Sequence, residues 1–311
     1  MPWLGRRTFW RGSRRRGRGW RGQRTLAQRS SCSRRSLLWR GRRRQRSSER
    51  GEERDVRRPA ELRQLVEEYL ASLPLSPELG RLEEALRYAL EGGGKRVRPV
   101  ISLAVGEAAG ASPEEVLPAA CALELVHTFS LVHDDLPALD NDEVRRGRPS
   151  VWARFGEADA ILAGDALLAE AFRLALSYPR PEVARELAQA TLGMIGGQHL
   201  DIHGGGDDLA TLHGLKTGCL FSASVGCALW AAGVAEEDQG PWRAFGAELG
   251  LLFQVVDDIL DGDGYVLSYG VEGARRLADE AALRAQARLA EIAADTSVLA
   301  EIVAGLAART S

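Results

Sequence analysis

The sequence predicts an all-α fold for residues 59–311. Ala, Leu and Glu dominate this region, and no strand-like alternation of polar and apolar residues is present. Long segments repeat their apolar residues with the period of a helix, and glycines stand where helices are expected to end. About 250 residues are enough for one hydrophobic core, so we expect a single helical domain.

Three segments show the helical pattern most clearly. Residues 118–133 are apolar with helical period, and residues 245–259 place Leu249 and Val256 on one buried side. Residues 273–308 are expected to form two amphipathic helices. Each of the first two segments runs directly into a group of acidic residues.

Residues 1–58 differ from the rest of the chain in charge. They contain 21 arginines against four acidic residues, which gives this tail a net charge of about +17 and the remainder about −19. Rich in Arg, Gly and Ser, the tail is predicted to be disordered. It is interpreted as a non-native upstream start or a tail without function; an organelle transit segment and a nucleic-acid-binding arm are the alternatives. No nucleic acid partner is expected elsewhere, and no membrane span is predicted.

Two aspartate clusters dominate the sequence. The first, in HDDLPALD, contains Asp134, Asp135 and Asp140, and the second, in FQVVDDILD, contains Asp257, Asp258 and Asp261. Like charges at close range repel and resist desolvation, so such clusters do not stabilise apolar helices. Mg²⁺ prefers oxygen ligands and is usually held by one or two carboxylates together with substrate phosphates. The two clusters therefore predict a diphosphate substrate bound through Mg²⁺.

The spacing within each cluster predicts how its carboxylates are presented. Spacings of three and four residues place all three aspartates of the second cluster on one helix face. In the first cluster, Asp134 and Asp140 are six residues apart, which an unbroken helix would place on different sides. Pro137 is expected to break the helix between them and to bring Asp140 round.

Several basic residues near the two clusters are suited to bind a diphosphate. The segment GGGKRVRP places cations after a glycine run that lets the backbone approach a diphosphate. His127 precedes Asp134 by seven residues, so both are expected on one helix face. The candidate diphosphate ligands are Lys95, Arg96, Arg98, His127, Arg145, Arg146, Lys216 and Thr217.

Together these residues form the motifs of a known family. The chain resembles the trans-isoprenyl diphosphate synthases of the polyprenyl synthetase family, and especially the bacterial farnesyl diphosphate synthases. The matching segments are GGGKRVRP, ELVHTFSLVHDDLPALDNDEVRRGRPS, FGEADAILAGDALLAEAF, GMIGGQHLDI, LKTG and GLLFQVVDDILD. The resemblance implies an isoprenoid-synthase-type helical bundle around a central cavity, with one acidic cluster on each facing wall, and a homodimer.

The implied reaction is condensation of isopentenyl diphosphate with an allylic diphosphate, assisted by three Mg²⁺ ions. The resemblance implies metal ligands at Asp134, Asp140, Asp257 and Asp261, with Asp135, Asp258 and Lys216 also catalytic. It implies allylic diphosphate ligands at Arg145, Lys216, Thr217 and Gln254, and isopentenyl diphosphate ligands at Lys95, Arg98, His127 and Arg146. Gln198 and Asp201 are expected near the reacting carbons. The released diphosphate is the expected proton acceptor.

The residues before the first cluster bear on product length. Phe129 lies five residues before Asp134, and Ser130 lies one helical turn before Asp134. In the family, an aromatic residue at this place tends to stop growth near fifteen carbons. Phe129 therefore favours farnesyl diphosphate, and geranylgeranyl diphosphate is the alternative product.

The chain also departs from the family pattern. After Asp261, roughly twenty residues expected from the resemblance are absent, including a lysine that contacts the allylic diphosphate, and no lysine follows Lys216. The segment from Asp201 to Lys216 is a few residues short. These departures leave a weakly active or inactive partner subunit of the same family as an alternative. A terpene cyclase is disfavoured because the chain retains residues for a second diphosphate.

The cysteines and remaining histidines suggest no further chemistry. Cys32, Cys121, Cys219 and Cys227 lack metal-ligand spacing and are expected to be free thiols in a reducing cytoplasm. His199, His203 and His213 are expected to be exposed loop residues rather than a metal site.

Overall fold

The computed structural model describes residues 57–204 and 209–310, which all fall in one unit, Arg54–Ser311. The predicted Arg-rich tail lies outside the described residues except for its last two positions, and so does Cys32. The helices of the first half are α1 (Pro59–Ser72), α2 (Glu83–Glu91), α3 (Val97–Ala108), α4 (Pro113–Asp134), α5 (Val151–Phe155), α6 (Glu157–Ala175) and α7 (Glu182–His203). Those of the second half are α8 (Leu209–His213), α9 (Cys219–Ala231), α10 (Gly240–Asp261), α11 (Tyr265–Ala290) and α12 (Ser297–Ala307).

Shorter elements complete the described chain. 3₁₀ turns occupy Pro77–Leu82, Glu236–Asp238 and Ala308–Thr310, and a π-helical turn occupies Gly214–Gly218. The one described sheet is the antiparallel hairpin of β1 (Val144–Arg145) and β2 (Arg148–Pro149). The prediction of an all-α fold is confirmed.

The core lies where α4 packs against its neighbours. Helix α4 contacts α3, α6 and α9, and α10 packs along α9 and α11. A capping box fixes the start of α4: the Ser112 side chain and the Glu115 carboxylate each accept a hydrogen bond from the other residue's backbone N–H. By length and composition α4 could cross a membrane, but 72% of its most apolar window is buried, as is typical of a core helix.

Several sequence expectations can be compared with the observed elements. The predicted segments 118–133 and 245–259 lie inside α4 and α10. The first of the two C-terminal helices begins earlier than predicted, because α11 starts at Tyr265 and continues through a kink at Gly270. The expectation of loop histidines was wrong: His199 and His203 lie in α7 and His213 ends α8. Within the described ranges, no group of three or more His, Cys, Asp or Glu side chains forms a metal site.

The three described cysteines are free thiols. Cys121 and Cys227 are buried, and Cys219 is half-buried. Burial raises the pKa of all three thiols, which keeps them protonated and unreactive at neutral pH. Their contribution is therefore to packing.

Candidate active site

One large cavity, of about 1010 Å³, lies between the helices that carry the sequence motifs. Its wall is built from the start of α3, the C-terminal half of α4, the hairpin, α6, α7, the π-helical turn and α10. The predicted site residues that line it are Lys95, Arg98, His127, Phe129, Ser130, Asp134, Arg145, Arg146, Gln198, Lys216, Thr217 and Asp257. A volume of this size matches that of sites for ligands of moderate size.

Helix α4 presents the first acidic cluster at its end. Asp134 is the last residue of the helix and faces the cavity. Desolvation raises the pKa of its carboxyl to about 6, with Asp140 and Asp135 adding to the rise and Lys216 and Arg145 opposing it. Burial and the neighbouring carboxylates outweigh these two cations, so the Asp134 carboxylate suits a further cation that enters with a ligand.

The neighbouring carboxylates of the first cluster are placed differently. Asp135 is buried and accepts two hydrogen bonds from Arg145 Nε, at 2.7 and 2.9 Å, while Arg145 Nη2 lies 2.6 Å from its Oδ1. Asp140 is exposed and does not line the cavity; its backbone N–H donates to the Asp134 carbonyl at 2.9 Å. The helix ends three residues before Pro137, as the proline predicts.

The second acidic cluster reaches the cavity through Asp257 alone. Desolvation raises the pKa of Asp257, the nearby Asp261 raises it further, and Lys95 opposes the rise. Asp261 is exposed outside the lining. One helix face was predicted for all three carboxylates, but Asp258 is buried and turned away from the cavity.

Asp258 forms hydrogen bonds within the fold. Its Oδ1 accepts a hydrogen bond from Gln254 Nε2 at 2.7 Å, and its Oδ2 accepts one from Tyr265 N at 2.8 Å. Gln254 lies beside a smaller cavity of about 430 Å³ rather than in the main one. The carboxylate thus caps the first turn of α11, where the positive end of the helix favours a negative charge.

The connection between α10 and α11 is only three residues long. Gly262 and Gly264 both have positive φ, 74° and 49°, which glycine adopts without the strain of a Cβ. Tyr265 then stacks on His213 with ring centroids 5.2 Å apart. The turn stands at the place where the sequence departs from the family pattern.

On the basic side of the cavity, two arginines, Arg96 and Arg146, have positive φ, a backbone conformation that is strained for residues other than glycine. Arg146 and Gly147 form the two-residue turn of the hairpin, with φ of 54° and 75°, as a type I′ turn requires. From there the Arg146 guanidinium donates to the Gly93 carbonyl. Arg96, with φ of 46°, is buried on Glu124 and Glu67 at 2.7 and 3.0 Å. It therefore anchors the glycine loop rather than offering a free charge.

Arg98 and His127 lie together in this basic region. The Arg98 guanidinium lies 4.6 Å from the centroid of the Phe221 ring, and burial lowers its pKa to about 10. Its Nε is buried with no hydrogen-bond partner among the described residues. Burial, followed by the charge of Arg98 and other arginines, lowers the pKa of His127 well below its usual range. The site therefore has an unsatisfied cationic donor and a neutral imidazole, which suits an anion.

Lys216 and Thr217 stand on the π-helical turn, opposite this region. Lys216 Nζ lies 2.5 Å from Asp201 Oδ2. Asp201 is exposed and does not line the cavity, unlike Gln198 one turn earlier, whose Oε1 is buried without a described partner. Single π-helical turns occur often at functional sites.

The remaining wall is mostly apolar. Leu168 of α6, Met194, Ile195 and Ile202 of α7 and Phe253 of α10 line it. Phe129 packs edge-to-face on His133, with ring centroids 5.0 Å apart, and His133 Nε2 lies 3.0 Å from the Ile161 carbonyl oxygen. Such a surface suits a hydrocarbon chain.

Sequence reasoning missed some of the lining residues. Besides His133, the polar residues Asp165 and His199 line the cavity without having been predicted. His133 could have been found because it lies directly before Asp134 on the same helix. Asp165 and His199 lie in two of the segments that carry the family resemblance, but no spacing within those segments singled them out.

The comparisons with known proteins agree with this arrangement. The polyprenyl synthetase family model matches residues 80–269. The chain is 44% identical over 193 residues to a geranylgeranyl diphosphate synthase of Cyanophora paradoxa, covering 57% of this chain and 64% of that protein. It is 41% identical over 198 residues to a farnesyl diphosphate synthase of Bacillus subtilis (strain 168), covering 59% and 67%.

Solved structures extend the likeness to the fold. An FPP/GFPP synthase from Zymomonas mobilis superposes with a TM-score of 0.71 at 32% identity, covering 79% of this chain and 95% of that one. A geranyltransferase from Legionella pneumophila gives a TM-score of 0.73 at 32% identity, covering 81% and 96%. The chain spans less than two thirds of the length of some curated relatives, such as the Cyanophora protein. Since the family model covers more than half of its residues, the chain belongs to the polyprenyl synthetase family.

Proposed function

We propose that the protein is a short-chain prenyltransferase that condenses isopentenyl diphosphate with dimethylallyl or geranyl diphosphate. The observation that carries this proposal is the lining of a single cavity. Asp134 and Asp257 face it together with two separate sets of cationic side chains, and an apolar wall continues beyond them. Two diphosphates and one hydrocarbon chain account for all three features.

The side chains divide between the two substrates. Lys216, Thr217 and Arg145 would hold the allylic diphosphate close to Asp134, and the bidentate bond to Asp135 fixes the orientation of Arg145. Lys95, Arg98, His127 and Arg146 would hold isopentenyl diphosphate. Because His127 is neutral, it would donate or accept one hydrogen bond without adding charge.

Asp134 and Asp257 are the residues that fit Mg²⁺. They present carboxylate oxygens to the cavity, and substrate phosphate oxygens would complete the coordination. When bound, Mg²⁺ would neutralise the negative charge that develops on the leaving diphosphate. Asp140 and Asp261 stay proposed as outer members of each cluster, and three ions per site is the proposed number.

The protein's own part in the reaction is to hold the reacting groups and to stabilise charge. Cationic side chains aimed at the allylic diphosphate favour departure of that group as its negative charge grows. The apolar wall keeps water away from the carbocation that is left, and the two substrates are held close enough for the alkene to attack. The proton lost from the product is expected to pass to the released diphosphate.

Product length is proposed from the position of Phe129. Its ring lines the cavity below Asp134, where a growing chain would meet it, and His133 supports it from the side. This placement favours a fifteen-carbon product, farnesyl diphosphate. Geranylgeranyl diphosphate is the alternative, and relatives named for each product are among those most similar to the chain.

A second candidate function is a weakly active or inactive partner subunit. Two features favour it. The three-residue connection after Asp261 lacks the longer segment, with its lysine, that the family resemblance leads us to expect, and the Asp258 carboxylate caps α11 instead of facing the cavity. One relative, 43% identical over 210 residues, is the large subunit of a heterodimeric geranylgeranyl pyrophosphate synthase from Arabidopsis thaliana.

We also propose a cytoplasmic homodimer. Helices α6 and α7 expose large apolar side chains, including Leu162 and Leu192, at 52% and 65% of their surface. A second copy of the chain could bury such a face. The three described cysteines are free thiols, which accords with a reducing compartment.

One experiment tests the reaction and the product together. The full chain is incubated with Mg²⁺, labelled isopentenyl diphosphate and geranyl diphosphate, and the dephosphorylated products are separated by chromatography. A fifteen-carbon product is expected, and Phe129→Ala should shift the distribution towards twenty carbons or more. Leu176→Ala, an exposed leucine outside the lining, is the matched control. A folded dimer that yields no product would instead favour the partner-subunit function.

A further inference from the structure

We propose that Gly197 is a positioning residue for the allylic diphosphate site. Its lack of a side chain lets the π-helical turn lie directly against α7, and this contact holds Lys216 and Thr217 at the cavity. The inference rests on the proposed function, in which these two residues bind the allylic diphosphate.

The contact is between backbones. A Cβ placed on Gly197 would lie 2.7 Å from Lys216 Cα and 2.9 Å from the carbonyl carbon of Leu215, and closer still to Lys216 N. All of these distances are below the 3.0 Å that Cβ atoms respect. Since the opposing atoms belong to the backbone, no side-chain rotation relieves the overlap. Any side chain at position 197 must therefore move the turn or the helix.

The turn contacts α7 more extensively than it contacts α8, α9 or α10, although the Gly218 backbone also faces Gly250 of α10. It is a single π-helical turn in which Cys219 N donates to the Gly214 carbonyl, so its backbone is wider than that of the α-helix that follows. The Lys216 side chain meets Asp201, one turn beyond Gly197 on the same helix. Helix α7 thus fixes Lys216 at two points, by backbone at Gly197 and by charge at Asp201.

The adjacent residue supplies a matched control. Gly196 also lies in α7, but a Cβ placed on it would meet nothing within 4 Å. Alanine is the better helix former, so Gly196→Ala should be neutral or stabilising. The two variants make the same chemical change at neighbouring positions, and only one of them faces the turn.

The test is calorimetric binding of geranyl diphosphate alone and of isopentenyl diphosphate alone, with Mg²⁺, to wild type, Gly196→Ala and Gly197→Ala. Without the second substrate no condensation occurs, so the readout is independent of turnover. Gly197→Ala should bind geranyl diphosphate at least about ten-fold more weakly, as expected for losing hydrogen bonds to a charged group. Its isopentenyl diphosphate binding and all binding by Gly196→Ala should match wild type.

Other outcomes would overturn the inference. Equal geranyl diphosphate binding by Gly196→Ala and Gly197→Ala would show that the contact does not position the site. Equal weakening for both diphosphates would indicate general distortion rather than positioning. A wild type that binds neither diphosphate would contradict the proposed function itself and, with it, this inference.

A second pair of variants covers the case in which Gly197→Ala does not fold. Gly193, one turn earlier, faces the Cys219 Sγ, which a Cβ would approach to 2.5 Å. Gly193→Ala should push Cys219, the residue that directly follows the turn, and so weaken geranyl diphosphate binding; adding Cys219→Ala should restore the binding. Unchanged binding in Gly193→Ala, or no recovery in the double variant, would count against the positioning role.

Discussion

At the scale of single residues, neighbouring carboxylates take different roles. Asp134 faces the cavity while Asp135 is buried on Arg145, and Asp257 faces it while Asp258 caps α11. The sequence predicted the two clusters but not this division, because spacing does not reveal which carboxylates find partners within the fold. One of the two partners of Asp258, the backbone N–H of Tyr265, is within reach because the connection before it is short.

Asp134→Ala tests the proposal that Asp134 binds Mg²⁺. Turnover should fall by about 10² or more, since a group aimed at developing charge is removed. Circular dichroism should show unchanged helical content because the side chain ends α4 without supporting its packing. Asp279→Ala, exposed on α11, serves as the control. Unchanged rates in Asp134→Ala would refute the Mg²⁺ assignment.

Asp135→Ala should affect stability as well as activity. It leaves the half-buried Arg145 guanidinium without its carboxylate, which should lower the free energy of unfolding by about 1.5–3 kcal/mol. Urea denaturation measures the loss. Glu272→Ala, which removes an exposed pair with Arg275 at 3.5 Å, should change stability by less than about 0.5 kcal/mol. Equal effects in the two variants would argue against a structural role for Asp135.

At the scale of elements, the helices were predictable and their contacts were not. The apolar period located α4 and α10, and Pro137 correctly indicated where α4 must end. Periodicity cannot reveal that His133 of α4 packs on Gly164 of α6, or that the two helices can approach because residue 164 is glycine. Nor could it show a π-helical turn in LKTG, whose width depends on its fit to α7.

Gly164→Ala tests the contact between α4 and α6. A Cβ there would lie 2.9 Å from His133 Cε1 and closer to two other ring atoms, so the ring must leave the Ile161 carbonyl. Overpacking of this kind should cost about 1–3 kcal/mol of stability, measured by denaturant unfolding. Gly305→Ala in α12, where a Cβ meets nothing within 4 Å, should be neutral or stabilising. A stable Gly164→Ala would mean that the ring has room to move.

At the scale of the whole molecule, helices from distant parts of the sequence enclose one cavity. The motifs predicted its components because they carry its charges. The apolar wall of α6 and α7 uses residues of the same motif segments, such as Leu168 and Met194, to which spacing assigned no role. Only one carboxylate of each cluster, Asp134 from α4 and Asp257 from α10, lines the cavity, which is fewer oxygen ligands than Mg²⁺ needs. Metal and diphosphate should therefore bind together.

Thermal unfolding can separate these two ligands. Mg²⁺ or a chelator alone should leave the Tm of the protein nearly unchanged, because the carboxylates do not form a closed site. Geranyl diphosphate should raise the Tm in the presence of Mg²⁺ and much less with the chelator, since a ligand that binds only the native state stabilises it more the more tightly it binds. A large shift with Mg²⁺ alone would reveal a preformed metal site and contradict this account.

The short connection between α10 and α11 also bears on how such a site can change in evolution or by design. Its shortness brings Tyr265 N within hydrogen-bonding distance of Asp258. The length of this connection, which lies outside the cavity, therefore decides whether Asp258 caps α11. A longer insertion there would separate donor from acceptor and release that carboxylate. The charge available to a bound ligand could then be altered by an insertion or deletion at the periphery, with every residue of the motif left in place.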